Sequence, residues 1–302
     1  MHGFLEAHMG EKPALQPKAA IGPAVRAIAA TILAVARATM SDADRADADA
    51  VHYFRRAMKQ WRALMRLLEP FIPDAVRLRQ EARDHARSLA RARDGQSALN
   101  AFDDLVKKGM ALSERSTATI RSRIEAIRDS EEQAVLTPEM RDKIVAWIDA
   151  TAASIEQWPL DPFEFSKIAA RLAAGYRAAR AAIPSDWALA SAEELHHLRQ
   201  RVVDHRYQMD LIEPLWPRHA RMWTDEAERL RDRLGRCQDL EILKHLTEPH
   251  RPLARWRSRL TPAVAERTNE LAHRAATIAL RLFAEKPKAF RHRLETLWAH
   301  GR

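Results

Sequence analysis

A stretch of 23 residues occurs twice in this chain, and a repeat of that kind limits the fold more than any other feature. Val51–Pro73 aligns with Leu195–Pro217 without a gap, at an offset of 144 residues. Eight of the 23 positions are identical: His52/His196, Arg55/Arg199, Arg62/Arg206, Met65/Met209, Leu67/Leu211, Glu69/Glu213, Pro70/Pro214 and Pro73/Pro217. Unrelated segments of this composition share roughly two. Both copies end in Glu-Pro-x-x-Pro, which stops one helix and starts another after a very short connection, so the two must pack antiparallel. The pattern predicts a duplication, with one half over 22–155, the other over 156–302, and residues 1–21 as a disordered tail. Trp158, Pro159 and Pro162 mark 152–162 as the hinge between the halves.

Each half reads as helical. Glycine is scarce, at 8 in 302 residues, and Ala, Arg, Leu and Glu fill the space; all four are good helix formers. No segment alternates apolar and polar residues as a half-buried strand does. The spacing predicts helices over 23–40, 47–69, 73–93, 96–135 (interrupted near Gly109), 138–155, 162–182, 190–213, 217–246, 251–260, 262–283 and 287–298. Most of the prolines stand at helix ends, where Thr137, Asp161 and Thr261 each precede a proline suited to the first helical position. The fold class that follows is all-α, as two pseudo-symmetric bundles in one unit.

Charge and cysteine content narrow the partners. Lys and Arg number 50 against 41 Asp and Glu, for a net charge of +9, which suits nucleic acid, an anionic surface or another polyanion. Cys237 is the only cysteine, so no intrachain disulfide forms, and it reads as packing filler rather than a redox thiol. No uncharged stretch reaches the ~18–20 apolar residues of a bilayer span, and the first residues lack the apolar core of a signal peptide. A cytoplasmic protein without a membrane partner is expected.

The repeated helix carries two stripes. Val51, Phe54, Met58, Trp61, Met65 and Leu68 step by three and four and form an apolar face. One position onward, about 100° around the helix, run His52, Arg55, Lys59, Arg62 and Arg66. An ordinary solvated face mixes signs, because like charges three or four apart oppose the helix. The first copy has five Lys or Arg between Val51 and Leu68 and no acid. Arginine's planar fork matches phosphate oxygens, and the cations recur about every 5 Å along the axis. That lattice suits a flexible chain of phosphates. A metal site from His196, His197 and His205 is the weaker reading, since adjacent histidines point about 100° apart.

These residues resemble a known family. His-x-x-Arg-x-x-x-(Lys/Arg)-(Lys/Arg)-x-x-Arg, twice in an all-helical chain, is similar to the CHAD domain, the conserved-histidine α-helical domain. The first copy supplies His52, Arg55, Lys59 and Arg62; the second supplies His196, Arg199, Arg206 and then Tyr207. Arg93-Asp94, Tyr176-Arg177 with Arg180, Leu234-Gly235 and Gln238-Asp239 match further motifs, over about residues 22–300. The resemblance implies two basic bundles around a central groove, polyphosphate binding, and recruitment to polyphosphate granules. Arg79, Arg83, Arg87, Arg177 and Arg180 are candidates for additional lining. Gln60, Val203 and Asp204 stand where the family has basic residues, and Asp204 and Asp210 are expected to repel phosphate near Arg206. The first half is therefore expected to carry more of the binding.

Nucleic acid is the alternative ligand, but aromatics are only 6% of the chain and single-strand binders stack bases on them. An enzyme that processes triphosphates is the third reading. The chain has no Walker A loop, no His-Glu-x-x-His pair and no Gly-x-Ser-x-Gly elbow. A non-catalytic binder that needs no cofactor and no metal is the expectation.

Overall fold

The computed structural model describes residues 13–89, 94–132 and 136–301. Among the described residues there are eleven α-helices and no strand. They are α1 (Ile21–Ser41), α2 (Asp47–Leu68), α3 (Ala75–Ser88), α4 (Asp94–Lys107), α5 (Glu114–Glu132) and α6 (Pro138–Ser154), followed by α7 (Phe165–Ala181), α8 (Ala192–Asp210), α9 (Pro217–His245), α10 (Arg257–Leu282) and α11 (Pro287–His300). The all-helical fold expected from the sequence is the fold observed.

Helix order and packing recur at the offset of the sequence repeat. Helices α1 and α7 begin 144 residues apart, and the copies of the repeated segment form α2 and α8. In the first half α1 packs on α2 and α6, and α2 packs on α3; in the second α7 packs on α8 and α11, and α8 on α9. The halves also cross, with α2 against α8 and α4 against α9. One connected apolar core results, running from Leu15 to Leu294.

The apolar stripe of α2 is buried as its periodicity dictates. Phe54, Met58, Trp61, Met65 and Leu68 are all fully enclosed, and each such side chain stabilises the fold by roughly 1.5–3 kcal/mol. In α8 the place of Trp61 is taken by His205, which is 1% exposed. The Trp223 indole N–H donates to its Nε2 at 2.8 Å, so the ring is neutral with its proton on Nδ1. Burial, helped by the nearby Arg293 charge, lowers its pKa to about 3.

Helix ends follow local chemistry in part. Thr137 Oγ1 accepts from the Met140 N–H at 3.3 Å, with Pro138 at the first helical position. Ser191 and Glu194 form a capping box on α8. Gly109, at φ +87°, separates α4 from α5 inside the stretch 96–135. Two expected caps are not made. Pro262 lies inside a continuous α10, where the ring removes one hydrogen bond to the Ser258 carbonyl and packing holds the rest. Helix α7 starts at Phe165, while Asp161 accepts from Arg26 Nη2 at 2.6 Å.

Two further expectations are corrected. The segment 152–162 is no hinge: Trp158 and Leu160 are buried, Trp158 packs on Trp61 with ring centroids 6.1 Å apart, and a Cβ on Gly22 would stand 2.3 Å from the Leu160 carbonyl oxygen. The end of the expected tail is anchored, since Leu15 is 1% exposed and its N–H donates to the Leu211 carbonyl at 2.7 Å; residues 1–12 lie outside the described residues. Helix α1 is long and apolar enough to cross a membrane by length and composition, but Arg26 and Arg37 interrupt it, so the expectation of no uncharged span stands. In this structure its apolar face, including Val25, Ile28, Ile32 and Leu33, is buried, and Arg26 and Arg37 are paired with Asp161 and Asp149.

His205 gives the fold a pH dependence with a defined sign. Its folded pKa lies below the ordinary 6.5, so the unfolded chain takes up a proton first as pH falls. Stability from this group is present above pH 6.5 and is lost toward pH 3, at up to about 1.4 kcal/mol per pH unit. Urea unfolding of the wild type and His205→Leu between pH 7 and pH 4 checks this. The variant should lose less stability over that range; parallel profiles would exclude His205 as the titrating group.

Candidate anion-binding groove

Because the basic stripe of α2 borders its buried stripe, it emerges beside the helices that cover the core. There α2, α8 and α9 enclose a cavity of roughly 1070 Å³. Helix α2 supplies His52, Arg55, Arg56 and Lys59; α8 supplies Arg199, Arg206 and Tyr207; α9 supplies Arg231, Arg233, Gly235 and Arg236. Eight Lys or Arg line the space against four acids, Asp47, Glu228, Asp232 and Asp239. The lining therefore carries a surplus of positive charge.

Several of these cations are held in place. Glu228 bridges the two helices, with Oε2 2.5 Å from Arg206 Nε and Oε1 2.5 Å from Arg231 Nη2. Arg231 also meets Asp232 at 2.6 Å. The Arg206 guanidinium lies over the Tyr207 ring, 5.0 Å from its centroid, and burial raises the Tyr207 pKa. Arg199 lies against α9 where Gly235 leaves room: a Cβ there would stand 3.4 Å from its Nε. Arg236 pairs with Asp104 of α4, which Arg267 of α10 holds as well, at 2.7 Å. Burial opposes ionisation of Asp104, but the bonds and charges of Arg267 and Arg236 outweigh it and keep the carboxyl below its usual range. Arg56 and Arg233 make no ion pair among the described residues. Such a site offers pre-oriented guanidinium forks and spare positive charge, which is what a phosphate-rich ligand requires.

Of the residues singled out in the sequence, His52, Arg55, Lys59, Arg199, Arg206 and Tyr207 meet in this groove. Others do not. Arg62 and Arg66 lie farther along α2, where Arg66 Nε is 2.7 Å from Asp204 Oδ2. Arg83 is exposed on α3 and close enough to Arg62 to help lower its pKa, the larger cause being burial. Arg79 pairs with Glu69 at 3.0 Å. Arg180 has a structural task, donating to the Glu285 carbonyl at 2.6 Å beside the Tyr176 hydroxyl, which donates to the same oxygen at 3.0 Å. Arg87 and Arg177 are exposed outside the groove, and Arg93 lies outside the described residues.

His196 is the clearest departure from the repeat. Where His52 faces the basic groove, His196 lines a separate cavity of roughly 710 Å³ with Cys237, Gln238 and Glu241. Its Nε2 is 2.6 Å from Gln200 Nε2. Burial pushes the Cys237 thiol up to about 11. His196, His197 and His205 do not converge: the first lines that cavity, the second is exposed and the third is in the core.

The two acids expected to repel phosphate near Arg206 do not face the groove. Asp204 is 9% exposed and turned to Arg66; Asp210 is buried as well. The acid beside Arg206 is Glu228. Nor does the first half dominate the lining, since Arg199, Arg206, Arg231, Arg233 and Arg236 all come from the second. Sequence reasoning misses Arg56 and the three arginines of α9. In Arg231-Asp232-Arg233-Leu234-Gly235-Arg236 the signs alternate and read as a solvated face. Their signals are the Leu234-Gly235 pair within the run and the Gln238-Asp239 motif just after it.

Comparison with known proteins agrees with this architecture. A family model described as CHAD domain matches residues 23–248. The crystal structure of the CHAD domain from the plant Ricinus communis superimposes with a TM-score of 0.54 at 20% identity, over 93% of this chain and 95% of that chain. No curated protein matches the chain.

The Glu228 clamp yields a test of the groove's electrostatics. Glu228→Gln keeps the shape and removes one negative charge between Arg206 and Arg231. Calorimetric titration with tripolyphosphate should show affinity rising by about 1 kcal/mol, roughly fivefold. Weaker binding would mean that ordering the two arginines matters more than their neutralisation.

Proposed function

Because the chain belongs to the CHAD domain family, we propose that it is a non-catalytic binder of inorganic polyphosphate and takes the polymer in the groove between α2, α8 and α9. The observation that carries this reading is the lining itself, in which eight cations from three helices face one cavity of roughly 1070 Å³. Polyphosphate repeats its negative charge along a flexible chain, and a row of arginine forks on a helix repeats donors at a comparable scale. Recruitment to polyphosphate granules in the cytoplasm is the cellular setting this function implies.

The carboxylates of the groove favour binding over catalysis. Asp47 is paired with Arg141 at 2.5 Å, and Glu228 and Asp232 are held by Arg206 and Arg231. A general base has to reach a proton on the reacting group, and these acids are engaged with arginines instead. Nucleic acid shares the electrostatics, but the groove's one Phe, Tyr or Trp among the described residues, Tyr207, is 7% exposed and covered by Arg206. It offers no open face for stacking a base.

A competition assay at physiological salt, with long-chain polyphosphate, single-stranded RNA and duplex DNA, separates these readings. Polyphosphate should bind tightest, with affinity falling steeply as salt rises, and Arg55→Ala/Lys59→Ala/Arg199→Ala should lose it by tenfold or more, on the order of 1.4 kcal/mol. No phosphate should be released on prolonged incubation. Equal affinity for all three polymers would reduce the function to a general polyanion surface, and no polyphosphate binding would remove it.

A further inference from the structure

Helix α9 turns a different row of side chains to each of two cavities. Glu228, Asp232, Gly235 and Asp239 line the basic groove. A neighbouring row, Leu234, Cys237, Glu241 and Lys244, lines the cavity of roughly 710 Å³ on another side of the helix; Leu234 and Gly235 stand about 100° apart. Helix α8 adds Glu193 and Leu195 to this second cavity, α10 adds Thr261 and Val264, and α4 adds its first residue, Asp94. Sites for small molecules usually enclose about 300–1000 Å³, and this cavity falls within that range.

Its chemistry is opposite in sign to that of the groove. Leu195, Leu234, Cys237 and Val264 are buried and make an apolar floor. Three carboxylates line the cavity, Asp94, Glu193 and Glu241, against one lysine and no arginine. Lys244 is taken up by Glu241 at 3.0 Å, while Asp94 and Glu193 make no ion pair among the described residues. Thr261 Oγ1 is a buried oxygen in the wall with no hydrogen-bond partner among the described residues, and buried polar atoms are rarely left so. A phosphate is repelled here, so the cavity is no branch of the groove. Among the described residues no three His, Cys, Asp or Glu side chains converge to hold a metal ion. The charge these carboxylates call for therefore has to be spread along a larger, organic cation.

We propose that this cavity binds an aliphatic polyamine, with methylene segments on the apolar floor and ammonium groups donating to Asp94, Glu193 and Thr261. Such a ligand matches a lining in which apolar surface alternates with separated acceptors, and hydrogen bonds from a cation to a carboxylate are the strong kind. The inference uses no groove cation and stands apart from the polyphosphate reading.

Cys237, the only cysteine, reports occupancy of the cavity. Labelling by a small methanethiosulfonate is followed at about pH 8, where a primary amine keeps its charge. The baseline rate is low, because burial pushes the thiol up to about 11 and the thiolate is the reacting form, so calorimetry with spermidine runs in parallel. Spermidine at about ten times its calorimetric Kd should slow labelling roughly tenfold, and sodium chloride of equal ionic strength should not. Asp94→Asn/Glu193→Gln should lose both the calorimetric binding and the protection while keeping the helical circular dichroism of the wild type. Absence of spermidine binding to the wild type, equal protection by sodium chloride, or protection that persists in the variant overturns the proposal. Protection by a short lysine peptide and not by spermidine would assign the cavity to a basic polypeptide and overturn it equally.

Discussion

Helix α2 has to bury one stripe while the stripe about 100° away carries positive charge with no acid between Val51 and Leu68 of its own helix. The rest of the structure answers to that constraint. Phe54, Met58, Trp61 and Met65 draw neighbouring helices and the buried segment around Trp158 onto one side. Those helices cannot close over the bordering arginines, because a buried guanidinium without a partner is expensive. Around residues 52–59, α8 and α9 therefore stand off and leave a cavity. Around residues 62–66, where α8 does pack closely, it brings a carboxylate, Asp204, to meet Arg66. A groove and a packed ion pair are two solutions to one problem along a single helix.

The two copies of the repeated segment differ in step with what faces them. His52 looks into a basic cavity, whereas His196 looks into one lined with Glu193, Glu241 and Asp94. Trp61 fills the first core, and at the same place in the second His205 fills space and satisfies the Trp223 N–H. Asp204 would have been damaging on the groove face of α8, but it lies on the flank that contacts α2. A departure from a basic motif thus became a contact between the halves.

Charge in the groove is organised by acids as much as by bases. Glu228 and Asp104 each hold two arginines, so three of the groove's cations, Arg206, Arg231 and Arg236, are fixed in orientation when a ligand arrives. Such pre-ordering reduces the entropy lost on binding. It also lowers the net field, and Arg56 and Arg233 supply charge that makes no ion pair among the described residues.

Local chemistry by itself determines a good deal of this protein. Three-to-four periodicity and scarce glycine dictate the all-helical class; Thr137-Pro138 and Gly109 set a helix start and a break where they occur. The repeat and the family resemblance together name six groove residues, Tyr207 through the resemblance alone; sign and spacing on one helix reveal which face is polar. They do not reveal what stands opposite. Whether a polar face meets a ligand, a carbonyl or a carboxylate depends on contacts between residues more than 100 positions apart, such as Arg180 with Glu285 or Arg236 with Asp104. Only the tertiary structure could therefore turn the mixed-sign run of α9 into a groove wall, send His196 to a separate cavity, and hold Pro262 within a helix.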